Sequence, residues 1–373
     1  LREGIADMVS MARPLLADEN FVNKTAEGRT EEINTCIACN QACLDHLFQM
    51  KTATCLVNPR AGRETELNYE TTTKPKSIAV VGAGPAGMTV AYISAMRGHE
   101  VTLFDKRSEL GGQINYAVKI PGKQEFYEVL RFYRVMLEKY GVELKLGQAV
   151  YQETLAAGNY DAVVLATGVQ PRELELEGAD HAKVLSYLDV LDGECPVGNK
   201  VAVIGAGGIG IDVAHFLTAK TPFSGEVPEY LQGYGILNSE KAMALRKPKK
   251  REVTVLQRSA DKIGKRLGKT TGWAHIQTLK SHGVEFLSGA TYLKIDDAGL
   301  HVKVALKKGE EAQEIVMDVD NVIVAAGQEP RLNLEASLRE AGFEVHIIGG
   351  AKVALGLDAK IAINDGAELA AKL

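Results

Sequence analysis

The sequence predicts an α/β fold in which one strand–turn–helix domain is inserted into another of the same kind, behind a short cysteine-rich segment. Three observations predict it. Two separate stretches, starting at Ser77 and Lys200, read as a buried strand, a glycine turn and a helix start. A later strand ending in Ala325-Ala326-Gly327 echoes an earlier one ending in Ala166-Thr167-Gly168. Four of the five cysteines fall between positions 36 and 55.

The first stretch carries the clearest signal. Ile78 to Val81 is a short, largely β-branched run suited to a central parallel strand. Gly82-Ala83-Gly84-Pro85-Ala86-Gly87 follows at once. Gly82 makes the tight turn, Gly84 lets the backbone approach a pyrophosphate, and Gly87 lets the helix pack on the strand. The helix start offers its unpaired N–H groups to phosphate. An amphipathic helix is expected from Met88 to Arg97, then a strand Glu100–Asp105 whose last acid suits a ribose hydroxyl. The plain alternative is a glycine-rich turn of another α/β protein. The strand before, the helix after and the acid beyond weigh against it.

At 373 residues the chain has room for two or three domains. A net charge of −5 gives no reason to expect nucleic acid or a membrane surface as partner. No apolar run suits a bilayer span and no signal peptide is recognisable, so a cytoplasmic location is expected. The chain opens on Leu1 without an initiator Met, and reads as a piece of a longer one.

Taken in order, Met8 to Met11 reads as a strand end and Arg13-Pro14 as a turn into a helix. Backbone N–H groups near Ala12 and Arg13 suit a phosphate, as loops at the top of a β/α barrel do, although an ordinary strand–helix junction is the plainer reading. Cys36, Cys39, Cys43 and Cys55 then follow in the spacing C-x2-C-x3-C-x11-C. Three thiols on one loop and a fourth further along suit the corners of a [4Fe–4S] cube. Zinc, which usually takes its ligands as two separated pairs, fits less well, and unliganded thiols are the third reading. Residues 60–75 are polar and Thr-rich, and read as a linker.

After Asp105, Gly111, Gly112 and Gln113 let backbone amides approach a second phosphate or a ring edge. A long amphipathic helix is expected from Lys123 to Tyr140, with Phe126, Leu130, Tyr133 and Leu137 on its core face. The turn at Thr167 and Gly168 is placed to abut a bound cofactor. Gly205-Ala206-Gly207-Gly208-Ile209-Gly210 then repeats the glycine turn, so two dinucleotide sites are expected, one per domain. The strand Glu252–Gln257 ends at Arg258, read as standing where an NAD site puts its acid. An arginine there favours a 2′-phosphate, hence NADP, and Lys262, Lys265 and Arg266 add positive charge. The stretch Thr218 to Arg251 reads as an inserted loop, with Lys247–Arg251 as a solvated basic run. Asp320 to Pro330 is expected to lead back to the first domain. It is closed by a strand from His346 and a helix over Asp358–Ala370. Cys195 stands alone before Pro196, and the histidines show no metal spacing.

These motifs, in this order, resemble the bacterial NADPH-dependent 2,4-dienoyl-CoA reductases, in an iron–sulfur flavoenzyme family that includes trimethylamine dehydrogenase. The residues carrying the resemblance are the four-cysteine run, Gly82–Gly87, Leu110–Gln113, Ala166–Gly168, Ser186–Leu191, Gly205–Gly210, Leu267–Trp273 and Ile348–Gly350. The resemblance implies a disulfide-reductase-like FAD/NAD(P) module behind an iron–sulfur segment and the remnant of a TIM barrel. The implied domains are 1–35 (barrel end), 36–74 (cluster segment and linker), 75–195 with 320–373 (FAD) and 196–319 (NADP). Cys36, Cys39, Cys43 and Cys55 would bind [4Fe–4S]. Gly82, Gly84, Pro85, Ala86, Gly87, Asp105, Gly112, Gln113, Thr167, Gly168, Gly350 and Asp358 would bind FAD. Gly205, Gly207, Gly208, Ile209, Gly210, Arg258 and Lys262 would bind NADPH. Ala12 and Arg13 match the FMN phosphate loop of the barrel, nearly all of which is missing here, so FMN and the catalytic residues are expected only in the full-length parent.

The implied activity is an oxidoreductase that takes hydride from NADPH to FAD and passes electrons through the cluster to FMN. In the parent this reduces a 2,4-dienoyl-CoA thioester in unsaturated fatty acid oxidation. The competing readings are an NADH-dependent flavin oxidase, an amine dehydrogenase, and a non-catalytic zinc- or nucleotide-binding module. Neither nucleotide domain holds a Cys-x-x-Cys, which argues against disulfide chemistry.

Overall fold

The computed structural model describes residues 3–219, 251–305 and 310–373. The expected basic run before Arg251, and the loop that holds it, lie outside the described residues. The chain divides into two units. One comprises Leu1–Val118, Glu125–Gln170 and Gln328–Leu373, the other Lys119–Gln124 and Pro171–Gly327.

The first unit is built on a five-stranded parallel sheet in the order Glu344–Ile347, Ala162–Leu165, Ser77–Val81, Glu100–Asp105, Glu143–Leu146. Ile78, Ala79 and Val80 are fully buried, as a central strand covered on both faces requires. The helix after the turn runs Pro85–Met96. It is not amphipathic. Eight of its residues, Ala86 to Ala91 with Ile93 and Ser94, are buried. The closing helix Ala359–Ala370 lies so close that a side chain at Gly366 would come within 2.5 Å of the Ala86 carbonyl oxygen. Tyr133 of the helix Phe126–Lys139 meets it on another side: the Tyr133 and Thr89 hydroxyls lie 2.6 Å apart. A helix covered on several sides shows no polar stripe. Helix Phe126–Lys139 does have a stripe, but it buries Val129, Phe132, Tyr133, Met136 and Leu137. Phe126 and Leu130 are half-buried at its margin.

The second unit repeats the pattern. Its parallel sheet runs Val184–Ser186, Asn321–Val324, Lys200–Ile204, Glu252–Gln257, Glu285–Ser288. A three-stranded antiparallel sheet, Thr291–Asp296, Gly299–Val304 and Gln313–Met317, is added to it. These pairings move the domain boundaries. Residues 171–195 and 320–327 belong with the second unit, not the first. The reason is that Val184–Ser186 and Asn321–Val324 pair with each other, and Asn321–Val324 sits beside the central strand Lys200–Ile204.

Ahead of the first sheet the chain is mostly irregular, with short helices at Arg13–Ala17, Phe21–Ala26 and Leu44–Leu47. Met8 to Met11 form no strand: Met8 is 84% exposed and Val9 58%. Residues 60–75 are irregular but not a loose linker. Ala61 and Leu67 are buried, and Arg63 donates to Asn364 at 2.7 Å and Glu368 at 2.9 Å on the closing helix. Among the described residues no helix is long and apolar enough to cross a membrane.

Candidate functional site

The two glycine turns have nearly the same backbone. Gly82 sits at φ +111° and Gly205 at φ +113°, where other residues are strained. A side chain at either would come within 2.3 Å of a carbonyl oxygen, that of Ala166 or Ala325. The helix starts are equally tight: a Cβ at Gly87 or Gly210 would lie 1.8 Å from the carbonyl oxygen of Gly82 or Gly205. Thus Ala166-Thr-Gly168 and Ala325-Ala-Gly327 each brace a glycine turn from the neighbouring strand. Pro85 opens the first helix after Gly84, and Gly208-Ile209 open the second after Gly207. Space around Gly207 and Gly208 is open.

Around the first turn the structure gathers most of the residues expected to hold FAD. Gly111 N–H donates to the Ala83 carbonyl at 2.9 Å. A side chain at Gly112 would come within 2.8 Å of the Gly84 Cα. Gln113 Oε1 accepts from Gln328 Nε2 at 3.3 Å. The Thr167 hydroxyl donates to the Arg331 carbonyl, and Arg331 N–H donates to the Gly168 carbonyl at 3.0 Å. Gly349, with φ +59°, lies against Ala86, and its N–H donates to Asp365 at 3.1 Å. The space beside Gly350 is taken by Leu357 and Val169, each 2.8 Å from where a Cβ would stand. Asp358 caps the closing helix through Ile361 N–H at 2.8 Å.

Asp105 has a further role that its position alone did not suggest. One carboxylate oxygen accepts from Ala83 N–H at 2.7 Å and the other from Arg107 N–H at 2.8 Å. The acid therefore clamps the turn to its strand end, with lone pairs left for a ligand. In the second unit the register corrects the reading of Arg258. Gly82 N–H donates to Phe104 and Gly205 N–H to Leu256, each at 2.8 Å. The residue matching Asp105 is therefore Gln257, and Arg258 is one place further on. Gln257 spends its amide on the carbonyls of Ser259 and Asp261, which closes the loop carrying exposed Arg258 and Lys262.

The four clustered cysteines line one cavity in the first unit. The loop that presents them needs left-handed backbone at Ala38 (φ +53°) and Asn40 (φ +61°). Burial pushes the Cys39 thiol up to about 11, opposed by Gln41 N–H and reinforced by Cys55, Cys43 and Cys36. Cys55 is raised by burial and opposed by N–H groups of Val57 and Asn58. The thiols are thus close enough to feel one another, and two of them accept backbone N–H bonds that favour thiolate. Gln41 Oε1 and Thr54 Oγ1, beside the cysteines, are buried without a hydrogen-bond partner. Among the described residues no group of three or more His, Cys, Asp or Glu is placed to hold a metal ion.

Arg13 belongs to this cavity. Its guanidinium donates to Asn40 Oδ1 at 2.6 Å, inside the cysteine loop. Ala12 is the N-cap residue of the five-residue helix Arg13–Ala17.

Two braced glycine turns on duplicate parallel sheets define an α/β FAD/NAD(P) module of the Rossmann type. Residues 76–359 match the family model for pyridine nucleotide-disulphide oxidoreductase, and the chain belongs to that family. It is 34% identical over 355 residues to a metal reductase of Desulforamulus reducens, covering 94% of this chain and 52% of that protein. It is 39% identical over 219 residues to a cinnamate reductase of Clostridium sporogenes, covering 57% and 32%. A solved structure of 2-naphthoyl-CoA reductase with 2-naphthoyl-CoA superposes with a TM-score of 0.86 at 30% identity, over 100% of this chain and 51% of that one. The chain thus matches about half of the length of two of these proteins and about a third of the other. Its homologues and structural neighbours fall among FAD/NAD(P) oxidoreductases and 2,4-dienoyl-CoA reductase- or trimethylamine dehydrogenase-like flavoenzymes.

Proposed function

We propose that the chain is the electron-input module of an NADPH-dependent reductase. It takes hydride from NADPH onto FAD and passes electrons singly through a [4Fe–4S] cluster toward FMN. Bound FAD supplies the change from two-electron to one-electron transfer, and a bound cluster supplies single-electron carriage. The first glycine turn and Asp105 hold FAD. The second turn, with Arg258 and Lys262 on the loop closed by Gln257, holds NADPH. Cys36, Cys39, Cys43 and Cys55 hold the cluster.

The observation that carries this reading is the cysteine cavity. Four thiols share it, and backbone N–H groups reach two of the sulfurs. Hydrogen bonds to sulfur are one of the means by which proteins support such clusters. The zinc-module reading fits the C-x2-C-x3-C-x11-C spacing poorly, because zinc usually takes its ligands as two separated pairs.

The substrate proposed for the full-length protein is an enoyl thioester, 2,4-dienoyl-CoA by the sequence resemblance. Two similar proteins are named as reductases of cinnamate and of 2-naphthoyl-CoA, which supports an alkene or conjugated acyl substrate, while relatives named as N,N-dimethylglycine/sarcosine dehydrogenase and dimethylamine dehydrogenase make an amine the second reading. The partners are thus small molecules, and no residue of this chain is assigned to the thioester.

Anaerobic reconstitution with iron, sulfide and FAD tests the proposal. About four irons and one flavin per chain are expected, with NADPH-driven ferricyanide reduction. Cys39→Ser should lose iron and keep flavin. Failure to retain flavin on gel filtration, or uptake of zinc with no iron–sulfur absorbance, would overturn it.

A further inference from the structure

Arg13 is the one side chain with a permanent charge among the described residues lining the cysteine cavity. The other non-cysteine walls are apolar or neutral, Leu16, Ile37, Leu56 and Val57 among them. Four thiolates and the core of an iron–sulfur cluster carry a net negative charge, and a cation at the edge of such a site acts strongly on it because apolar walls screen poorly.

The helix that carries Arg13 is itself anchored to the cysteine segment. Asn58 Nδ2 donates to the Leu16 carbonyl at 3.0 Å, which ties the Arg13–Ala17 helix to the turn after Cys55. One turn on, buried Asp18 accepts from Asn34 N–H at 2.8 Å, and Asn34 Nδ2 donates to the Val57 carbonyl at 2.7 Å. The residue after Cys55's neighbour Leu56 and the segment before Cys36 are therefore anchored to the same short stretch that carries Arg13. The backbone that carries Arg13 is thus fixed to the cysteine loop, and the exposed side chain reaches the cavity through its bond to Asn40.

We propose that Arg13 is a positioning residue for the four-cysteine site, which sets the reduction potential of the group held there. This rests on the [4Fe–4S] reading above. Reduction adds one negative charge to that group, and a fixed cation at its edge favours the reduced form. Arg13 is exposed on its outer side, so part of the effect is open to screening by salt.

The test is an EPR-monitored dithionite titration of the whole reconstituted chain, comparing wild type with Arg13→Gln and Arg13→Lys. At the wild-type midpoint and low salt, the ratio of reduced to oxidised cluster should fall about threefold in Arg13→Gln. Arg13→Lys should recover most of that loss, and the gap between wild type and Arg13→Gln should narrow as salt is raised. An unchanged midpoint in Arg13→Gln with a full complement of iron would overturn the proposal. So would equal loss of iron from both variants, which would make Arg13 a clasp for the loop. Failure of the wild-type chain to take up iron and sulfide would instead overturn the function proposed above.

Discussion

The Asp105 carboxylate accepts the Ala83 N–H at 2.7 Å, joining the end of one strand to the middle of the glycine turn that follows its neighbour. The acid is usually considered for what it offers a ribose. Here it also shapes the loop that receives the pyrophosphate. Asp105→Ala should leave the N–H groups of Ala83 and Arg107 without their acceptor, at a cost of about 1–3 kcal/mol. FAD affinity should fall at least tenfold. Denaturant midpoints of the apoprotein and flavin titration, measured together, separate the two losses. Unchanged values in both would refute the clamp.

Gly87→Ala and Gly210→Ala place the same methyl group against equivalent carbonyl oxygens, at 1.8 Å in each case. The backbone must give way, costing about 1–3 kcal/mol or more. Gly87→Ala should lose flavin. Gly210→Ala should keep flavin while nicotinamide nucleotide binding weakens by at least tenfold. Bound flavin absorbance and NADPH titration read the two outcomes, and loss of both ligands from either variant would contradict the assignment of separate turns.

The nicotinamide preference should follow the side chains after the Glu252–Gln257 strand. Arg258→Ala should raise the NADPH KM about tenfold with little change for NADH, since only the 2′-phosphate is lost as a partner. Gln257→Glu should restore an acid at the position matching Asp105, repel the 2′-phosphate and improve NADH relative to NADPH. Steady-state KM values for both nucleotides decide it. An NADPH KM unmoved by Arg258→Ala would remove the NADP reading.

His215, on the helix that begins at the second turn, is 7% exposed and its Nε2 has no hydrogen-bond partner. Burial, with His275 and His282 adding to it, lowers its pKa from 6.5 to about 4. The His275 ring meets it edge-on with centroids 5.3 Å apart. As the folded value lies below the unfolded one, the unfolded chain takes up the proton first on acidification. Stability from this group is complete above about pH 6.5 and lost as pH falls toward 4, with about 2 kcal/mol gone by pH 5. Urea midpoints at pH 7 and pH 5 should differ less in His215→Leu than in wild type. An equal pH dependence in the two would show that other groups carry it.

Both glycine turns and the cysteine spacing were legible because their signals are local, a few residues at fixed offsets. What escaped the sequence depended on partners far away in the chain. Val184–Ser186 is three residues long and pairs with a strand beginning at Asn321, so the second unit's first strand lies hidden among residues expected to belong to the first domain. Gln257 could be matched to Asp105 only through the hydrogen bonds that set the register. Helix Pro85–Met96 was misread as amphipathic because its small and polar residues, Thr89 and Ser94 among them, are buried against close neighbours. Nothing near Arg13 in the sequence points to its partner Asn40, which lies 27 residues on.

The equivalence of Gly82 with Gly205, and of Ala166 with Ala325, gives this chain an internal control. Two ligand cradles share one main chain to within a few degrees and tenths of an ångström at these positions. Whatever makes their ligand preferences differ must then reside in the few side chains by which they depart, Asp105 against Gln257 first. Exchanging those side chains between the two halves of one polypeptide compares their effects at constant expression, solvent and temperature, which no pair of separate proteins allows.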